Sequence, residues 1–237
     1  MHMLPTLTTI AATLLGLAYP GPEVTVSVDS ESVAEVSEHT VASIQEAALE
    51  VAREVQALLP ELNDGILLRV RVVDSDLDPV GGVAGWAAGP GEVQLLVSST
   101  YPGGIESAIT DGLQTVLYHE FHHLWRGWTI QQNRFGPGIP NAVVNEGLAA
   151  VFADTYSGTA WGRFDYPEHV REWFDEILAL PLDADYNAWM NEHPDGRIAV
   201  GYRTGRYVVH EAMARSGLGI VELSELSPEE ILALVRE

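Results

Sequence analysis

The chain contains no cysteine and no lysine. Without cysteine there is no disulfide and no thiolate metal site, and the redox compartment leaves no trace in the sequence. Without lysine the positive charge rests on 12 arginines, set against 34 acidic residues, for a formal net charge of −22. Nucleic acids and anionic membrane surfaces both select for positive charge, so this balance argues against either as a partner. It suits a soluble, salt-tolerant or extracellular surface, and a GC-rich genome would also favour arginine over lysine.

A basic start is missing too. The apolar run from Leu4 to Ala18 has the length of a signal-peptide core and is too short to serve as a permanent membrane anchor, yet only Met1, His2 and Met3 precede it. No cysteine follows to carry a lipid. Residues 1–29 are therefore read as a signal peptide or a flexible N-terminal segment. Residues 30–237 are read as one domain, since 237 residues suffice for one sizeable core. Export to the periplasm or the exterior and retention in the cytoplasm both stay open.

What is present centres on His119-Glu120-Phe121-His122-His123, which fits the pattern H-E-x-x-H. On an α-helix, residues four apart share a face, so His119 and His123 can aim their imidazoles at one metal ion. Glu120 stands beside that face, where its carboxylate can take a proton from an activated water. Ile109, Leu113, Val116, Leu117, Phe121, Leu124 and Trp125 supply apolar side chains at helical spacing. The competing reading is a surface-leaning helix whose histidines are solvated or hydrogen-bonded.

A second signal shifts the balance. Asn145 to Asp154 reads as an almost wholly apolar helix into which one carboxylate, Glu146, has been placed. An unpaired buried carboxylate costs several kcal/mol, so it needs a cation nearby. A zinc ion held by His119 and His123 is the obvious partner, and three protein ligands leave a fourth position for water, as in catalytic zinc sites. Twenty-three residues separate His123 from Glu146. That is room for a little more helix, the glycine- and proline-rich loop Gly127 to Asn141, and a new helix start.

These stretches resemble a family of predicted bacterial zinc-dependent proteases with an H-E-[YF]-H-H segment and a following E-G-L-A helix, and more broadly the gluzincin metallopeptidases. The matching segments are Tyr118 to Arg126, Glu146-Gly147-Leu148-Ala149, and Gly201-Tyr202-Arg203-Thr204-Gly205, within residues 101–216, about half the chain. The resemblance implies that His119, His123 and Glu146 are zinc ligands and Glu120 the general base. It also implies an edge strand that binds extended peptide, for which Glu92 to Ser98 is the candidate. Tyr202 and Gly205 resemble the Tyr-x-x-Gly segment of aminopeptidase-type gluzincins, which implies Tyr202 as oxyanion donor. His210 is the alternative donor, and a packing tyrosine beside a close-contact glycine is the structural one. Thermolysin-like enzymes carry an aspartate one turn after the glutamate ligand, where this chain has Ala150. The carboxylate that would orient a ligand histidine falls to Asp154 or Asp111.

Along the rest of the chain, Ile44, Ala48, Val51, Val55 and Leu58 mark a helix closed by Pro60, after an acidic linker from Asp29 to Glu38. Gly65 to Val73 and Glu92 to Ser98 read as strands, and Pro79 to Gly91 as a glycine-rich turn or hairpin connection, without the Gly-Lys-Ser/Thr of a phosphate loop. Further helices are expected at Pro167–Leu180, Ala199–Ser216 and after Ser227. Trp161, Phe164, Trp173, Phe174 and Trp189 read as packing aromatics. His122 reads as a packing or hydrogen-bonding group, and Arg126 either as a partner of Glu146 or another carboxylate, or as a solvated residue.

The expectation is a mainly helical α+β domain of minimal gluzincin type, with a small N-terminal sheet and an active-site helix, hydrolysing peptides with Zn2+. Its partner would be a peptide or protein substrate, with no nucleic acid and no stable membrane anchor beyond the N-terminal segment. The oligomeric state stays open. A non-peptidase zinc amidohydrolase and a non-catalytic zinc-binding module are the alternatives.

Overall fold

The computed structural model describes residues 21–62, 64–159 and 165–236. The apolar run Leu4 to Ala18, Trp161 and Phe164 lie outside the described residues. The fold is α+β and mainly helical: β1 (Glu23–Val28), α1 (Glu38–Leu58), β2 (Gly65–Val73), β3 (Val83–Gly89), β4 (Glu92–Ser98), α2 (Gly104–Arg126), α3 (Ile139–Tyr156), α4 (Val170–Leu178), α5 (Tyr186–Met190), α6 (Val200–Ser216), α7 (Ile220–Ser224) and α8 (Pro228–Arg236). No helix among the described residues is long and apolar enough to cross a membrane.

The sheet has the order β1-β2-β4-β3, with β1, β2 and β4 parallel and β3 antiparallel to β4. Helix α1 makes the crossover that a parallel β1–β2 pair requires. Ser37 caps its start by accepting from the Thr40 amide (3.1 Å). Ile44, Ala48, Val51, Ala52 and Val55 form its buried stripe. Alternation in the strands sorts the two sheet faces: Ile66, Leu68, Val70, Val93, Leu95 and Val97 are buried under the helices. The other face carries charge pairs such as Arg69–Glu92 (2.8 Å). Helix α2 lies against α1, β3 and β4 on one side and α3 on the other. Helix α3 is buried from Ala142 to Ala153 on every face, as its almost wholly apolar sequence requires.

Three expectations need correction. Strand β1 falls within residues 1–29, which the sequence placed outside the domain, and it pairs in register from Glu23↔Gly65 to Val28↔Val70. The folded unit therefore begins before the expected boundary. The stretch Pro79 to Gly91 is not merely a connection but contains β3, whose alanines and glycines hide its strand character. Gly85 is small because a Cβ there would lie 2.9 Å from Val116 on α2. Consequently β4 is an interior strand, and β3 is the sheet edge facing α2.

Candidate metal centre and cleft

Helix α2 presents His119 and His123 on one face, and α3 brings Glu146 against them. His119 Nε2 lies 3.0 Å from His123 Nε2 and 3.1 Å from Glu146 Oε2, and His123 Nε2 lies 3.3 Å from the same oxygen. These are the described residues' only cluster of at least three potential metal-ligating side chains. Four ligands at about 2.0–2.1 Å around a tetrahedral zinc ion stand about 3.3 Å apart, so this nitrogen, nitrogen, oxygen triangle fits three of the four corners. Burial alone would raise the Glu146 carboxyl, but the adjacent His123 and His119 hold it well below the usual carboxylate range. Glu146 is thus ionised although it is buried.

Trp128 orients that carboxylate by donating its indole N–H to Glu146 Oε1 (3.2 Å). Gly127, at φ +74°, ends α2 in a left-handed turn, and the Trp128 amide bonds back to the His123 carbonyl (3.1 Å). This glycine folds Trp128 back over the His119, His123 and Glu146 cluster. A glycine at a helix end is the contact's one trace in the sequence. Neither carboxylate considered for orienting a histidine does so: Asp111 accepts from Tyr101 (2.9 Å) and Asp154 pairs with Arg206. The buried Nδ1 of His123 has no hydrogen-bond partner.

Glu120 is buried beside the triangle. Burial raises its carboxyl above the ordinary value, with His119 and His123 and the Ala87 amide of β3 acting against that rise. Its Oε2 has no hydrogen-bond partner in the protein. Ala87 also accepts at its carbonyl from the Ile130 amide (3.0 Å), so its backbone faces away from β4. By the two-residue period of an antiparallel pair, Gly85 turns its N–H and C=O to the same open edge.

Tyr202, near the start of α6, faces the centre across the cleft. Its hydroxyl bonds to that of Tyr186 on α5, and the Glu146 charge, followed by burial, raises its pKa well above the ordinary value. The phenol therefore stays protonated and able to donate. Tyr186, which was not foreseen, is likewise raised by burial and by Glu146 and Glu120. Two cavities of about 550 and 310 Å3 meet at Gly85, His119, Glu120, Asn191 and Tyr202. The larger runs between Val80, Val83, Val116, Ala153, Met190 and Ile198, with Asp76, Asp154, Glu192 and Arg206 also on its walls.

Other expected residues stand elsewhere. His210 lines neither cavity and instead meets the Tyr166 hydroxyl through Nδ1 (3.2 Å). It is not placed to serve as the alternative donor. His122 is a hydrogen-bonding group, as one reading had it. Ser224 donates its hydroxyl to the Ile220 carbonyl (2.7 Å), so His122 must be the donor in its 2.8 Å bond to Ser224, from Nε2. Arg126 is neither solvated nor paired with Glu146: it is wholly buried, and burial lowers its pKa to about 9. Trp173 and Phe174 are core residues, and Trp189 packs on the core edge.

The family model described as "Predicted Zn-dependent protease (DUF2268)" matches residues 34–233. Neither the curated proteins nor the solved structures gave a match.

Proposed function

Since the chain belongs to this predicted Zn-dependent protease family, we propose that it is a zinc metallopeptidase, with His119, His123 and Glu146 holding the ion and Glu120 as general base. The observation that carries this reading is the triangle of His119 Nε2, His123 Nε2 and Glu146 Oε2, 3.0–3.3 Å on a side, with the bare Oε2 of Glu120 beside it. A bound zinc ion supplies Lewis acidity, making water acidic near neutral pH and polarising a carbonyl.

The chain's own residues supply the rest. Glu120 Oε2 accepts a proton from the attacking water and later delivers it to the leaving amine. The Ala87 amide holds the other end of that interaction in place by bonding to the carboxylate. Tyr202 donates its hydroxyl to the oxyanion that forms at the scissile carbonyl, with Tyr186 positioning the phenol. An extended peptide lies along β3 and pairs with the outward N–H and C=O of Gly85, by addition of a strand to an open edge. The larger lobe beyond His119, walled by both apolar and charged side chains, takes a substrate side chain.

The test is zinc content together with cleavage of an unstructured protein substrate by wild type and Glu120→Gln. We expect about one zinc per chain in both and cleavage by wild type alone. Equal cleavage by both would remove Glu120 from the mechanism, and a metal-loaded wild type that cleaves no member of a broad peptide panel would favour a non-peptidase role.

A further inference from the structure

Arg126 ends the helix that carries His123, one turn beyond it, and is 0 % exposed. No carboxylate among the described residues pairs with it. Its Nε donates to Asn145 Oδ1 (2.6 Å), Nη1 to the Ser224 carbonyl, and Nη2 to the Leu226 carbonyl (2.8 Å). Its guanidinium carbon lies 4.7 Å from the centre of the Phe135 ring. A buried cation satisfied only by neutral acceptors is costly, and simple packing would be served better by an apolar side chain.

The acceptors tell what the cation does. Asn145 is the residue before Glu146, and its own amide is fixed on the Asn141 carbonyl (2.7 Å). Ser224 and Leu226 form the corner between α7 and α8, and the Ser224 hydroxyl also takes the His122 Nε2–H. One rigid planar fork thus spans the His123 helix, the Glu146 helix and the corner behind both. We propose that Arg126 is a positioning residue that sets the separation of His123 and Glu146, using Asn145 as its reader on α3 and the α7–α8 corner as its backstop. The inference rests on the metallopeptidase reading above.

Zinc affinity of the full-length chain, measured by competition with a chromophoric chelator, tests this without any substrate, and circular dichroism melts check folding. Arg126→Met is expected to weaken zinc binding by roughly 10- to 100-fold, the usual effect of removing a group that orients a ligand. Asn145→Leu, which leaves the bonds to the corner intact, should weaken it in the same sense. Asn145→Asp, which keeps an acceptor oxygen for Nε, should restore near-wild-type affinity, and no purely packing role would show that rescue. If Arg126→Met fails to fold, the Asn145 pair decides. Wild-type affinity in a folded Asn145→Leu variant, or equal loss in Asn145→Leu and Asn145→Asp, would overturn the proposal. A wild-type chain that takes up no zinc would instead refute the metal reading itself, and this role with it.

Discussion

Gly147 and Gly205 meet backbone to backbone: a Cβ on Gly147 would stand 2.7 Å from the Gly205 Cα, and one on Gly205 would stand 2.9 Å from the Gly147 Cα. Real Cβ atoms essentially never come this close, so α3 and α6 touch here only because both residues lack one. Glu146 is the immediate neighbour of one glycine, and Tyr202 lies one turn before the other. The contact therefore sets the width of the cleft between the His119, His123 and Glu146 cluster and the candidate oxyanion donor.

Substituting either glycine by alanine should push the helices apart. Better helix propensity is worth about 1 kcal/mol, but overpacking costs typically 1–3 kcal/mol, and here rigid backbone must move. Gly147→Ala and Gly205→Ala should lower the denaturation midpoint and reduce kcat more than they weaken zinc binding. Unchanged stability and activity in both would show that the helix pair can part without consequence.

Removing a ligand should remove the metal. His119→Ala, His123→Ala and Glu146→Ala are each expected to lose most of the bound zinc by elemental analysis, and a chelator should abolish cleavage reversibly. Retention of a full zinc equivalent by Glu146→Ala would strike that residue from the ligand set.

Tyr202→Phe deletes one hydroxyl and keeps the ring. If that hydroxyl donates to the oxyanion, kcat should fall on the order of a hundredfold with little change in KM. Tyr186→Phe should have a smaller effect, because Tyr186 acts through Tyr202. Zinc content and melting temperature should match wild type in both. Near-normal kcat in Tyr202→Phe would end its assignment, and His210 could not inherit the role from its place beside Tyr166.

Trp128→Phe keeps an aromatic ring over the site but loses the N–H that reaches Glu146 Oε1. Zinc affinity should drop about tenfold or more, as for other groups that orient a metal ligand. Affinity equal to wild type would mean that packing alone holds the carboxylate.

What could be read from the sequence follows the range over which its signals act. The spacing of His119 and His123 is local to one helix, and a lone carboxylate among Leu148, Val151 and Phe152 is conspicuous, so the three clustered residues were legible. So were α1, β2 and α2, whose apolar periods are regular. Strand β3 was not, because Gly85, Ala87 and Ala88 have low strand propensity and are held by pairing with β4. The sheet edge therefore belongs to β3, and β4, the strand that is legible in the sequence, lies inside. Trp128, Tyr186 and the partners of Arg126 were invisible for another reason: their contacts depend on turns and distant segments that leave no spacing to read.

The fork of Arg126 also carries a consequence in time. The carbonyls it grips lie 98 and 100 residues further along the chain, and every member of the His119, His123, Glu146 cluster precedes them. At about 5–20 residues per second, translation needs roughly 4 to 16 s to travel from Glu146 to Leu226. Through that interval a nascent chain owns all three donor groups but not the corner that seats their helices. The three side chains are thus seated by a segment that is made after all of them.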